Sequence, residues 1–157
     1  MSISEVPLMS ADAYLRRQTI ISIIVSAVFS AVFFLLIYRN PGPVAVWAPD
    51  YLALDFVPQS ALASLMAALV PGLQTRSAVA RGNLAGTVPT ARSIVLRALL
   101  CALLGLGVAV IIIAALWISG VVVVPWATAF AIKTAYGGLL GRVVTPRALR
   151  PLLNPES

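Results

Sequence analysis

The sequence predicts an all-α integral membrane protein, an antiparallel bundle of four transmembrane helices. Hydrophobic residues make up 61 % of the 157 residues and charged residues only 10 %, which is far more apolar than an ordinary soluble domain. The apolar residues also cluster into long blocks, and the arginines stand where these blocks end. The blocks place the helices at about residues 18–38, 58–73, 97–119 and 125–143.

One domain explains this pattern economically. A short leader (1–17) precedes the helices, and an extended cytoplasmic tail (144–157) follows them. A long outer loop (39–57) and a basic cytoplasmic loop (74–96) lie between helices.

The first helix is predicted from 21 apolar or small residues that follow Arg16 and Arg17, enough for about 30 Å of helix. A signal peptide is the alternative, but the apolar part of a signal is usually only about 7 to 15 residues long. We therefore expect a retained anchor. Ser22, Ser26 and Ser30 recur every four residues on one face, which favours a helix-packing seam over the polar lining of a path.

The outer loop holds three internal prolines, which prevent a continuous helix. It is unusually apolar, so we expect it to lie on the membrane surface or to pack against a partner. At its end, Asp55 and Pro58 are typical of the cap and first turn of a helix. Pro71 and Gly72 indicate the end of that second helix.

Two further features belong to the second helix and to the loop that follows it. Ser60 and Ser64 share one face, which again indicates close helix packing. The basic loop that follows could contact anionic lipid head groups or a partner, although the orientation of the chain in the membrane would by itself put arginines there. These arginines are Arg76, Arg81, Arg92 and Arg97.

The third and fourth helices form a predicted hairpin. Thr90 is a good N-cap for the third helix, and Gly105 belongs to a row of small residues along it. Residues 120–124 leave room only for a tight connection. Pro125 then suits the first turn of the fourth helix.

Lys133 is the one lysine of the chain and lies within the fourth apolar block. A charge there normally faces protein or water, so Lys133, with Thr134 and Tyr136 beside it, is the candidate functional site. Gly137 and Gly141 make a GxxxG pair next to the lysine, which predicts close contact with another helix. Lys133 therefore serves either a packing or partner contact, or a substrate or ion pathway.

The acidic residues offer Lys133 no obvious partner. All five lie outside the apolar blocks, so Lys133 is expected to be an unpaired intramembrane cation. They are Glu5, Asp12, Asp50, Asp55 and Glu156.

The arginines also predict the orientation of the chain. With four spans, nine of ten arginines fall on the side of both termini and only Arg39 on the other, so the positive-inside rule puts both termini in the cytoplasm. The three tryptophans fall near the outer interface, which agrees. The excess of arginine over lysine is typical of a GC-rich bacterial genome, and we expect the bacterial inner membrane.

The composition argues against several classes of function. The chain has no histidine and one cysteine, Cys101, so a histidine- or thiolate-based metal or haem site cannot be built from one copy. No acid lies inside an apolar block to act as a general acid or base. No basic cluster is interleaved with aromatic residues, so nucleic acid is not an expected partner. We expect neither an enzyme nor a cofactor.

Two hypotheses remain for the function. The first is a non-enzymatic protein that packs against other membrane proteins or itself, as an accessory subunit or assembly factor; the small-residue faces and the apolar outer loop favour it. The second is a small oligomeric transporter or channel, for an anion, that uses Lys133.

Overall fold

A computed structural model describes residues 10–84 and 87–153, and in these ranges the chain forms four α-helices and one pair of two-residue strands. The predicted all-helical architecture is confirmed, and three of the helices, α1, α2 and α3, are long and apolar enough to cross a membrane. Parts of the predicted leader, basic loop and tail (1–9, 85–86 and 154–157) lie outside the described residues. The elements are α1 (Ala11–Ile37), β1 (Val44–Ala45), α2 (Phe56–Ala80), α3 (Ala91–Ser119), β2 (Val123–Val124) and α4 (Trp126–Leu153).

Two helices begin earlier than the apolar blocks do. α1 starts at Ala11 rather than near residue 18, because the Ser10 hydroxyl caps it by accepting a hydrogen bond of 3.3 Å from the Ala13 amide. α3 starts at Ala91, where Thr90 is the predicted N-cap and accepts from the Ser93 amide at 3.3 Å. Capping side chains therefore extend both helices into polar sequence.

Pro71 does not end α2, as the sequence suggested; the helix continues to Ala80. Proline lacks the amide that would bond the carbonyl four residues earlier, and that carbonyl belongs to Ala67. The hydroxyl of Thr145 on α4 lies 2.9 Å from the Ala67 carbonyl and donates to it. Because the orphaned acceptor is satisfied by a neighbouring helix, α2 passes through the proline.

The predicted end of the fourth helix and the extended tail are also wrong. α4 runs to Leu153 through Pro146 and Pro151. Its last turns bury Val144, Ala148 and Leu149 inside the protein. This packing holds the segment helical although its prolines disfavour a helix.

The helices are arranged as a row in the order α1, α4, α2, α3. α1 packs along α4, while α2 packs along both α4 and α3. α1 and α2 make few contacts with each other, and so do α3 and α4, although the chain joins each of these pairs directly. α4 thus lies between α1 and α2 and can carry a site that both helices reach.

The outer loop packs on its own chain, and its contact with the membrane surface or with a partner stays a prediction. β1 pairs with β2 in antiparallel register, and the Val46 amide donates to the Val122 carbonyl at 2.8 Å. Val46, Leu52 and Ala53 are buried. We call residues 38–55 and 121–125 together the loop cap, because they cover one end of the helix row.

Tyr38 and Trp126 tie the loop cap to the helices. The Trp126 indole donates to the Tyr38 carbonyl at 2.8 Å, and the Tyr38 hydroxyl donates to the Asp50 carbonyl at 3.3 Å. Burial, assisted by the carboxylates of Asp55 and Asp50, raises the pKa of Tyr38 to about 12. The phenol is therefore neutral and remains a donor at physiological pH.

Candidate functional site

Lys133 forms an ion pair with Asp55, which corrects the expectation of an unpaired cation. The Lys133 ammonium lies 2.6 Å from Asp55 Oδ2, and the exposed fractions of the two side chains are 2 % and 21 %. Asp55 also does not cap α2 through its side chain, as the sequence suggested. Its carboxylate turns to α4 instead, because a buried ammonium needs a counter-charge more than a helix end needs a cap.

Two aromatic rings complete the surroundings of the ion pair. The Lys133 ammonium lies 4.3 Å from the centroid of the Phe56 ring, a cation–π contact. The Tyr136 ring meets Phe56 edge to face, with centroids 5.1 Å apart. The Tyr136 hydroxyl lies 2.6 Å from that of Ser60, which donates to the Phe56 carbonyl. The first turn of α2 is therefore built around Lys133.

Thr134 does not join this site. Its hydroxyl is buried and has no hydrogen-bond partner among the described residues. Gln59, which the sequence did not single out, does join it: its amide nitrogen donates to Ser30 Oγ at 2.7 Å and to the Lys133 carbonyl at 3.3 Å. The signal was available in the spacing, since Gln59 lies one turn after Asp55 on the same face of α2.

Lys133 lies about 10 Å inside α4, seven residues after its first residue, Trp126. Asp55 immediately precedes α2 and reaches this depth because α2 and α4 run parallel, with Ser60 beside Tyr136 and Ala67 beside Thr145. The pair carries no net charge, which lowers the cost of its burial relative to a lone lysine.

The predicted serine row of α1 lies against the predicted glycine pair of α4. A Cβ added to Gly137 would stand 2.7 Å from the Ser26 carbonyl oxygen and closer still to the Ser30 hydroxyl, and one added to Gly141 would stand 2.7 Å from the Ser22 carbonyl oxygen. These glycines therefore let the two backbones approach to a distance that a side chain would forbid.

A second seam joins α2 and α3. A Cβ added to Gly105 would stand 2.7 Å from the Ser60 carbonyl oxygen and would overlap the Ser64 hydroxyl. Ser60 and Ser64 are fully buried. Together the two seams bring the serines and glycines that the sequence singled out into contacts within one chain.

A cleft of about 580 Å³ separates α1 from α2, and Lys133 lines it from α4. Asp55 and Lys133 line one end, and Gln18 and Gln74 line the other. Apolar side chains form most of both walls, and Ser22, Ser26 and Ser30 also line the α1 side. The ion pair is therefore part of the surface of a cleft that is open to the surroundings of the helices.

The four arginines of the basic loop lie away from the ion pair. Arg76 is half-buried on α2, Arg81 is the C-cap of that helix, and Arg92 and Arg97 lie on the first two turns of α3. The salt bridge formed within the described residues uses none of them. They gather at the end of the row opposite the loop cap.

Comparison of the chain with protein-family models, curated proteins and solved structures finds no match in any of the three. Fold and site together define a small all-helical protein of membrane type, with a buried ion pair at one end of a lateral cleft.

Proposed function

We propose that this is a non-enzymatic multi-pass membrane protein whose function is to bind a membrane-embedded partner, and that it binds this partner in the α1–α2 cleft. An accessory subunit or an assembly factor works in this way. The observation that carries the proposal is the cleft itself: a long, mostly apolar concavity with a few polar groups has the features of a binding site.

The small-residue seams no longer support this proposal by themselves. Ser22, Ser26 and Ser30 pack against α4 and are nearly buried where they line the cleft, and Ser60 and Ser64 are covered by α3 and α4. Besides the cleft, the outward faces of α1 and α3 remain for a partner. These two faces carry large apolar side chains and suit ordinary lipid.

We also propose that α4 is a fourth span, that both termini are cytoplasmic and that the membrane is the bacterial inner membrane. Pairing of Lys133 with Asp55 supports the fourth span, because it removes the net charge at that depth. The gathering of basic residues opposite the loop cap supports the orientation. A cysteine placed at Arg39 in a Cys101→Ser background should react with an impermeant maleimide from outside, and one placed at Ser77 should not.

The test of the binding proposal is site-specific photo-crosslinking in native membranes. Benzoylphenylalanine in place of Met66 lies in the cleft, and in place of Leu103 it lies on the exposed face of α3. The cleft position should give a discrete adduct of defined mass, and the α3 position a broad mixture of lipid adducts. The same mixture from both positions would reject the proposal.

A small oligomeric transporter is the second candidate, favoured by the position of Lys133 and Asp55 on the cleft wall. The pair is neutral, which weakens the reason to expect an anion as the substrate. Chloride efflux from liposomes, measured for the wild type and for Asp55→Asn/Lys133→Met, tests it. Efflux that the double substitution abolishes would favour transport over binding alone.

A further inference from the structure

The cleft is as long as a bilayer is thick. Its lining runs along α1 from Gln18 to Ile37 and along α2 from Pro58 to Gln74. At the rise of an α-helix these stretches are about 24 to 28 Å long. The hydrocarbon core of a bilayer measures about 30 Å. An occupant of the cleft therefore lies along the membrane normal.

The cleft is too narrow to enclose a helix. A volume of about 580 Å³ spread over this length gives an average cross-section of roughly 20 to 25 Å². A helix with its side chains is about 10 to 12 Å across, so its cross-section is about 80 Å² or more. One extended hydrocarbon chain lies inside the space, whereas a transmembrane helix of a partner protein would lie against its opening.

The walls select for a hydrocarbon chain but not for one particular lipid. Phe29 and Phe33 of α1 face Leu62, Met66 and Val70 of α2 across the opening, and all five are exposed. Lipid tails are as apolar as these side chains, so van der Waals packing alone gives little preference among lipids. Selectivity has to come from the polar end.

That end presents hydrogen-bond acceptors. Asp55 Oδ2 is bonded to Lys133, but within the described residues no donor reaches Oδ1. Gln59 Oε1 likewise has no partner there. Residues 55 and 59 lie one turn apart on the same face, so a head group carrying hydroxyls can donate to both.

Charge narrows the choice of head group further. Asp55 is more exposed than Lys133, 21 % against 2 %, so an anionic head group meets the carboxylate before it meets the ammonium. A cationic head group would disturb a pair that is already neutral. An uncharged head group avoids both penalties.

We infer that the α1–α2 cleft holds one hydrocarbon chain of an amphiphile whose uncharged, hydroxyl-bearing head group donates hydrogen bonds to Asp55 and Gln59. This inference rests on the proposed binding function and names the class of its partner. Monoacylglycerols and other long-chain alcohols have this chemistry, whereas phospholipids and free fatty acids do not.

The test uses the full chain in phosphatidylcholine nanodiscs with a monoacylglycerol that carries a photoreactive diazirine in its chain. Peptide mass spectrometry should find the label concentrated on α1 and α2 around Phe29, Leu62 and Met66. Unlabelled 1-monooleoylglycerol should compete at least about tenfold better than oleate or methyl oleate, since hydrogen bonds to a charged group separate these probes.

Two variants and one control locate the binding. Met66→Trp should abolish labelling of the cleft by filling it, and Leu103→Trp on the exposed face of α3 should leave labelling unchanged. Asp55→Leu/Lys133→Met removes the charged acceptor without leaving a buried charge alone. It should keep the labelling and reduce the tenfold preference to the smaller one that Gln59 provides.

Two results would overturn the inference: even labelling of the α1–α2 and α3 faces, or equal competition by all three unlabelled probes. The crosslinking experiment separates this failure from that of the proposed function. If benzoylphenylalanine at Met66 captures a discrete protein while the monoacylglycerol shows no preference, the binding function stands and its partner is not this amphiphile. If the crosslinking gives no discrete adduct and the monoacylglycerol shows no preference, both the binding function and the amphiphile are rejected.

Discussion

Asp55 and Lys133, 78 residues apart in the chain, form an ion pair of 2.6 Å between the start of α2 and a point about two turns into α4. The pair is the clearest link between the fold and the candidate site. It fixes the parallel pair α2 and α4 at the depth where the cleft ends. Its two members are buried to different degrees, and this difference gives the first prediction.

Asp55→Asn should destabilise the protein more than Lys133→Met does. The first change leaves a 2 % exposed ammonium without its counter-charge, and the second leaves a carboxylate that is 21 % exposed and reaches solvent more easily. Breaking a buried pair from one side costs about 3 to 5 kcal/mol. Unfolding by titration of sodium dodecyl sulfate into mild detergent would measure both.

The double variant Asp55→Asn/Lys133→Met should be more stable than Asp55→Asn alone, because no charge is left unpaired. Arg39→Gln, at an exposed position, is the control and should change stability by less than about 0.5 kcal/mol. Equal losses for Asp55→Asn and Lys133→Met, with no recovery in the double variant, would contradict the ion pair.

Gly137→Ala and Gly107→Ala should have opposite effects. The Cβ of an alanine at 137 would overlap the Ser30 hydroxyl and approach the Ser26 carbonyl oxygen to 2.7 Å, whereas at 107 it would meet nothing within 4 Å. The first change forces α1 and α4 apart. The second gains helix propensity of up to about 1 kcal/mol.

Thermal denaturation of the two alanine variants, followed by the loss of monodisperse protein in gel filtration, would measure this contrast. Ser30→Ala should recover only part of the loss in Gly137→Ala, because the backbone contact to Ser26 remains. Full recovery, or equal behaviour of the two glycine variants, would show that the α1–α4 seam is not closed as described.

Cysteines at Ala45 and Val123 should form a disulfide. These residues are register partners in the β1–β2 pair, and facing residues of antiparallel strands have Cα separations of about 4.5 to 5.5 Å, within the range of disulfide geometry. In a Cys101→Ser background, addition of an oxidant to membranes should produce a gel shift that is reversed by reductant.

The same pair tests the proposed orientation separately from the fold. If the loop cap faces the periplasm, the disulfide should form in cells without added oxidant. Cysteines at Ala45 and Ile118, which are not register partners, are the control. A bond that needs added oxidant would argue against the orientation, and no bond under any condition would argue against the loop cap.

The features that could be predicted from the sequence are those that depend on a local pattern of residues. The apolar blocks, the Thr90 cap and the four-residue spacing of Ser22, Ser26 and Ser30 each follow from neighbouring residues. The central part of each helix, the cap and the buried face of α1 lie where the pattern predicted them. The predicted ends of the second and fourth helices failed, because contacts with other helices override the local signal of a proline.

The ion pair between Asp55 and Lys133 could not be predicted from the local sequence in the same way. Asp55 stands outside an apolar block, and its position before a helix is equally typical of an N-cap. Only the order of the helices in space, with α4 between α1 and α2, brings it to Lys133. That order depends on which small-residue faces meet, and several pairings satisfy the sequence equally well.

Thr145→Val should destabilise the protein, and Pro71→Ala should rescue it in part, because the Ser22 hydroxyl, 2.7 Å from that of Thr145, also loses its partner. In the wild type the Thr145 hydroxyl donates to the Ala67 carbonyl that Pro71 leaves without a partner. Valine keeps the volume but removes the donor, and a buried unsatisfied group costs about 1 to 3 kcal/mol. Alanine at position 71 supplies a backbone amide for the same carbonyl, so the rescue should be larger in the Thr145→Val background than in the wild type.

A double-mutant cycle on unfolding in mild detergent measures this coupling. Thr134→Val is a matched control, since the Thr134 hydroxyl has no partner among the described residues and its loss should cost little. If Pro71→Ala stabilises both backgrounds equally, Thr145 does not hold the proline in the helix. α2 would then pass through Pro71 for a reason that lies within α2 itself.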